Sequence, residues 1–124
     1  MLLDSNIVIY AFQPAHAPIA RFLETGTFAA SAITQLEVMG YWRLSAVEYR
    51  RFELFFSELN LLQVTAEVIA LAISLRMKRS LGLADAIIAA TALNHQLSLV
   101  THNTRDFAWI DGLRLIDPLT EEAP

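Results

Sequence analysis

The stretch MLLDSNIVIY, residues 1–10, decides the fold, because it passes from an apolar strand pattern to a helical one at a single acidic residue. Residues 1–4 read as a strand and residues 6–12 as a short helix. Asp4 therefore stands where a strand ends. A carboxylate there is costly to bury unless hydrogen-bond donors or a cation meet it.

The same alternation continues along the chain. Residues 28–32, 61–64, 97–100 and 113–116 read as further strands, and 17–24, 34–43, 46–58, 66–79 and 83–95 as helices. Ser45 with Glu48 three residues on forms a capping box for the helix at 46–58. Thr65 suits the cap of the helix at 66–79, and Gly82 breaks the last two helices apart. Five short strands separated by helices predict a parallel sheet in an α/β fold. In that arrangement strand ends and helix starts share one edge, and ligands bind along it.

The 124 residues suit a single domain spanning 1–124. Hydrophobic residues make up 55% of the chain, so some apolar surface is expected to be covered by a second copy or a partner. On the helix at 46–58, Phe52, Phe55, Phe56 and Leu59 share one stripe, read first as core packing and next as a dimer seam or partner groove. Tyr41 and Trp42 would extend that surface. No apolar run is long enough to span a bilayer, and no basic segment precedes the first hydrophobic residues, so a cytoplasmic protein without membrane attachment is expected. The absence of cysteine excludes thiol chemistry and disulfides. A net charge of −4 argues against a broad basic face for nucleic acid, so any such contact must be local or metal-assisted. The RMKRS run at 76–80 contains the only lysine, Lys78, and lies at a helix end, where the dipole favours cations in any case, a reading that stands beside an RNA contact.

Four acids stand apart from the solvated remainder: Asp4, Glu37, Asp85 and Asp106. Asp4 ends the first strand, Glu37 falls in the first turns of the helix after the second, Asp85 in the first turn of the helix from Leu83, and Asp106 just past the strand ending at Val100. All four lie along the expected binding edge. Taken singly, each has a plain explanation as a helix-dipole or turn residue. Together in apolar surroundings, such carboxylates either take up protons or bind cations. Oxygen donors without cysteine or spaced histidines select Mg²⁺ or Mn²⁺ over zinc, and His16, His95 and His102 show no ligand spacing. Ser5, Thr101 and Asn103 are read as supporting groups that orient the acids, whereas Asn6 and Thr104 are read as capping and turn residues.

Four segments in order carry a resemblance: LLDSNIVIY at 2–10, SAITQLEVMGY at 31–41, LGLADAIIAATAL at 81–93 and LVTHNTRDFAWIDGLRLIDP at 99–118. The chain resembles the PIN-domain family, in particular the VapC-type toxin ribonucleases of toxin–antitoxin pairs. The resemblance implies a PIN fold with a five-stranded parallel sheet flanked by helices, and an Mg²⁺- or Mn²⁺-dependent endoribonuclease acting on RNA. It implies that Asp4, Glu37, Asp85 and Asp106 form the acidic site, that the Thr101 and Asn103 segment supports it, and that the partners are a protein antitoxin and a second copy in a homodimer. The reading that follows has Asp4, Asp85 and Asp106 as metal ligands, with Glu37 either a further ligand or the base. Rival readings are a DNA-directed nuclease, an RNA- or partner-binding module without turnover, a haloacid-dehalogenase-like phosphatase and a phosphoacceptor receiver. Asn6 stands where the phosphatase needs a second Asp, and the receiver needs a basic residue after its last core strands.

Overall fold

The computed structural model describes residues 1–120. Among the described residues, β1 (Leu2–Leu3), β2 (Ala29–Ser31), β3 (Asn60–Leu62), β4 (Leu99–Val100) and β5 (Leu115–Ile116) form one sheet in the order β3-β2-β1-β4-β5. Every neighbouring pair is parallel, as the alternation of strands and helices predicted. The helices are α1 (Ser5–Tyr10), α2 (Ala17–Leu23), α3 (Ala32–Met39), α4 (Ala46–Ser57), α5 (Ala66–Lys78), α6 (Leu83–Asn94) and α7 (Thr104–Phe107), with a 3₁₀ turn at Pro14–His16. No described helix is long and apolar enough to cross a membrane.

β1 lies at the centre, and the pleat sends its two residues to opposite layers. Leu2, Ala29 and Leu99 pack against Val68, Ala72 and Leu75 of α5 and Ile88 and Ala89 of α6. Leu3, Ala30 and Val100 pack against Ile7 and Val8 of α1, Val38 of α3 and Phe52 and Phe56 of α4. A sheet covered on both faces needs continuous apolar strands, which is why these runs do not alternate with polar residues. The phenylalanine stripe of α4 belongs chiefly to this core: Phe12 meets Phe52 edge-on, with ring centres 4.9 Å apart.

The element boundaries differ from the sequence reading in instructive places. α3 begins at Ala32 because the Ser31 side chain accepts the Ile33 N–H and so caps it. It ends at Met39, which leaves Tyr41 and Trp42 exposed outside the helix. α7 is a single turn in a segment whose Asn and Thr residues suggested only a bend. The capping box of Ser45 and Glu48, the Thr65 cap and the start of α6 after Gly82 are all present.

Candidate active site

Asp4 sits at the hinge between β1 and α1 and is 4% exposed. Its backbone N–H donates to the Val100 carbonyl at 2.9 Å, extending the ladder to β4, while its own carbonyl accepts from Ile7 N–H and opens α1. Its side chain caps that helix: Oδ1 accepts the Ser5 N–H at 2.8 Å. The Thr101 hydroxyl, just past β4 and fully buried, donates to Oδ2 at 2.8 Å. The Asn103 backbone N–H donates in turn to the Thr101 hydroxyl oxygen at 3.0 Å. Thr101 therefore supports the acid directly, whereas Asn103 contributes through its main chain and leaves its amide in solvent.

Glu37 lies in the second turn of α3, on the neighbouring strand-to-helix junction. The Ser5 hydroxyl donates to Glu37 Oε1 at 2.6 Å and lies 3.4 Å from the hydroxyl of buried Thr34. Ser5 thus joins two acidic positions, with its N–H on Asp4 and its O–H on Glu37. Thr34 escaped the sequence reading because a threonine inside an amphipathic helix looks like any other. Its spacing of three from Glu37 is the signal, since residues so placed share one helix face.

Asp85 is half-buried in the first turn of α6, and Asp106 is exposed on α7. The four acids are electrostatically coupled. Loss of hydration pushes the Asp85 carboxyl up from 3.8 to about 6, and the charges of Asp4, Glu37 and Asp106 push the same way. Asp4 is raised chiefly by burial, against the hydrogen bonds from Thr101 and Ser5, with Glu37 and Asp106 adding to the rise. At both positions burial and like charge thus disfavour the ionised carboxylate.

The acids separate two clefts. A largely apolar groove of about 440 Å³ runs from Glu37 past Ile9, Phe12, Tyr41 and Phe52, with Arg43 and Arg51 along it. A polar cleft of about 320 Å³ holds Asp85 and Asp106 together with Arg79, Arg105 and Trp109. Among the described residues no three His, Asp or Glu side chains stand ready as a metal-ligand group. The fit to a hard divalent cation accordingly rests on an all-oxygen donor set and on mutual charge, both of which suit Mg²⁺ or Mn²⁺. His102 faces Asp117 at 3.0 Å, away from this set of contacts.

Comparison with known proteins agrees with the fold. The family model described as PIN domain matches residues 1–113. A curated relative, the tRNA(fMet)-specific endonuclease VapC of Shigella flexneri, is 30% identical, with 94% of this chain and 96% of the relative aligned. Among solved structures, a toxin–antitoxin complex from Klebsiella pneumoniae contains a chain 34% identical with a TM-score of 0.81, covering 94% of this chain and 96% of that one. DNA-bound VapBC from Salmonella typhimurium matches with a TM-score of 0.84 at 25% identity, over 94% of this chain and 96% of that one.

Proposed function

The chain belongs to the PIN domain family, and on that premise we propose that it is a divalent-metal-dependent endoribonuclease acting as the toxin of a toxin–antitoxin pair. The observation that carries the chemistry is the coupling of Asp4, Glu37, Asp85 and Asp106 at one edge of the sheet. The endonuclease relative and the toxin–antitoxin complex support the substrate class and the partner.

Asp4, Asp85 and Asp106 would hold Mg²⁺, with Mn²⁺ able to take its place. Bound there, the cation supplies Lewis acidity toward a phosphate oxygen and makes water a better nucleophile. The protein's own part is to position and to move a proton. Thr101 and the Ser5 N–H hold the Asp4 carboxylate, one donor on each oxygen, so its direction is set before any ligand arrives. Ser5 holds Oε1 of Glu37. That leaves Oε2, for which no side-chain hydrogen bond is found among the described residues, as the oxygen that would take the proton of the attacking water. The water oxygen would bond to phosphorus as the P–O ester bond on the opposite side breaks, and the departing oxygen would take a proton from solvent.

The apolar groove beside Glu37 fits an antitoxin segment whose seat would also cover the acids. On the far side, Ile69, Ile73, Met77 and Leu83 are exposed along α5 and the start of α6, a strip suited to a second copy in a homodimer. We place the action in the cytoplasm, with its RNA substrate.

The test is cleavage of mixed RNA and single-stranded DNA by purified, partner-free protein with Mg²⁺, with Mn²⁺ and with EDTA, alongside Asp4→Asn. RNA cleavage that needs metal and is lost in the variant is expected. Metal-independent cleavage, or cleavage by Asp4→Asn at the parent rate, would refute the assignment.

A further inference from the structure

The polar cleft contains two arginines that the acid chemistry does not use. Arg79 and Arg105 face the same space as Asp85 and Asp106, yet among the described residues neither forms an ion pair. In a chain with nine Lys and Arg residues and a net charge of −4, two uncommitted cations beside the acidic edge are a concentrated resource. The surrounding parts hold Arg79 in place. Arg79 follows the last residue of α5, and its guanidinium lies over the Trp109 ring, 5.3 Å from its centre. The Trp109 indole N–H donates to the Asp106 carbonyl at 2.9 Å, so the ring is tied to the turn that carries an acid of the site. Arg76 Nε donates to the Leu81 carbonyl at 2.9 Å and ties down the loop leading to Asp85.

We propose that Arg79, Arg105 and Trp109 form a subsite for the single-stranded RNA flanking the cut bond: the guanidinium of Arg79, backed by Trp109, stacks a base, and Arg105 pairs with a neighbouring phosphate. Single-stranded RNA is recognised through bases stacked on aromatic rings or guanidinium planes, and arginine suits phosphate through its forked donors. The subsite also answers how an acidic protein holds a polyanion. Arg79 and Arg105 bring favourable charge into the cleft that holds Asp85 and Asp106, where attraction to phosphate offsets repulsion from the acids. This inference rests on the ribonuclease reading, because it names how that site grips its substrate.

The experiment measures binding of a fluorescently labelled pool of 12-nucleotide single-stranded RNA to the full chain. It is done by anisotropy, in Mg²⁺ over a range of salt, with Asp4→Asn as the background that prevents turnover. Adding Arg79→Ala and Arg105→Ala together is expected to weaken binding by about tenfold or more. Because Arg105 alone pairs with a phosphate, the slope of log K against log salt is expected to fall by about 0.7, the value for one contact on a single strand. Trp109→Phe is expected to stay within about twofold and Trp109→Leu to lose about tenfold, with circular dichroism melts confirming folded protein. An unchanged affinity and salt slope in the folded double-arginine variant overturns the subsite, as does an Asp4→Asn background that binds no RNA. Steady-state kinetics in the native sequence separate the two readings. Cleavage whose KM and kcat ignore both arginines refutes the subsite alone, and RNA binding without cleavage refutes the nuclease reading while the arginine effect on binding sustains the subsite.

Discussion

Replacing Asp85 with Asn should make the metal-free protein more stable at neutral pH while removing its activity. The Asp85 carboxyl is held at about 6 rather than 3.8 by loss of hydration and by three like charges. The folded protein therefore binds a proton there more tightly than the unfolded chain does, and stability falls as pH rises. This contribution is fully present below about pH 3.8 and is lost as pH passes through about 6. At about 1.36 kcal/mol per pH unit, the interval corresponds to about 3 kcal/mol. Because Asp85 is half-buried, solvent screening reduces this to roughly 1–2 kcal/mol. Asn keeps the shape and removes the charge, so in EDTA at pH 7.5 the variant should gain roughly 1–2 kcal/mol by urea unfolding, about 3–10 °C in Tm for a chain of this size. At pH 4 the two proteins should differ little. With Mg²⁺ at neutral pH the ranking should narrow or reverse, since the parent alone keeps every carboxylate for the ion. A variant no more stable than the parent in EDTA at pH 7.5, with both proteins two-state, would refute the claim that like charge and burial strain this site.

Asp4→Asn should abolish metal-dependent RNA cleavage and leave the circular dichroism spectrum unchanged, because the cap on Ser5 N–H survives in the amide; isothermal titration with Mg²⁺ should show weakened binding. Thr101→Val keeps the volume but removes the donor to Asp4 and the acceptor for Asn103 N–H. It should cost about 1.5–3 kcal/mol at pH 7.5 by urea unfolding, and should lower kcat by freeing the Asp4 side chain. Thr65→Ala removes the acceptor for Val68 N–H at the start of α5 and should cost about 1 kcal/mol with activity retained, read by thermal melt and RNA cleavage. Ser5→Ala releases the Glu37 oxygen and should lower kcat more than it raises KM in a steady-state assay.

The parts of the site that were legible were those that violate a local pattern. Asp4 and Asp85 interrupt apolar runs, so a carboxylate in each place demanded a reason. The alternation of strand and helix placed both, with Glu37 and Asp106, on one edge, and the sheet is parallel throughout, as that reading required. What stayed hidden did not break any pattern. Thr34 is a buried hydroxyl on a helix, and only the Ser5 contact reveals its place. Arg79 lay within a basic run that could be a helix end or an RNA contact, with nothing local to choose between them, and Trp109 lay in a loop with no periodicity. Their meeting depends on tertiary packing of the α5–α6 loop against the segment after α7. Strand limits were also out of reach, because ladders of two or three residues end where a partner ends, and a partner is not visible in local sequence.

The asymmetry among the four acids follows from where each is anchored, and it bears on what each can do. Asp4 extends the central strand and has its backbone in the ladder, its Oδ1 on a helix cap and its Oδ2 on a buried hydroxyl. An oxygen that accepts one hydrogen bond retains another lone pair, so both donors direct the carboxylate without exhausting it. Such a group suits a fixed ligand, because reorientation would break bonds that burial makes costly to lose. Glu37 stands on a longer side chain at an exposed helical position, held by a single hydroxyl at one oxygen. That single tether leaves Glu37 freer to move than Asp4, which fits the proton-accepting role proposed for it. Asp85 and Asp106 open onto the polar cleft that also holds the two arginines. An anion entering that cleft meets carboxylates and guanidinium groups together, so the two arginines offset part of the repulsion that the acids alone would exert.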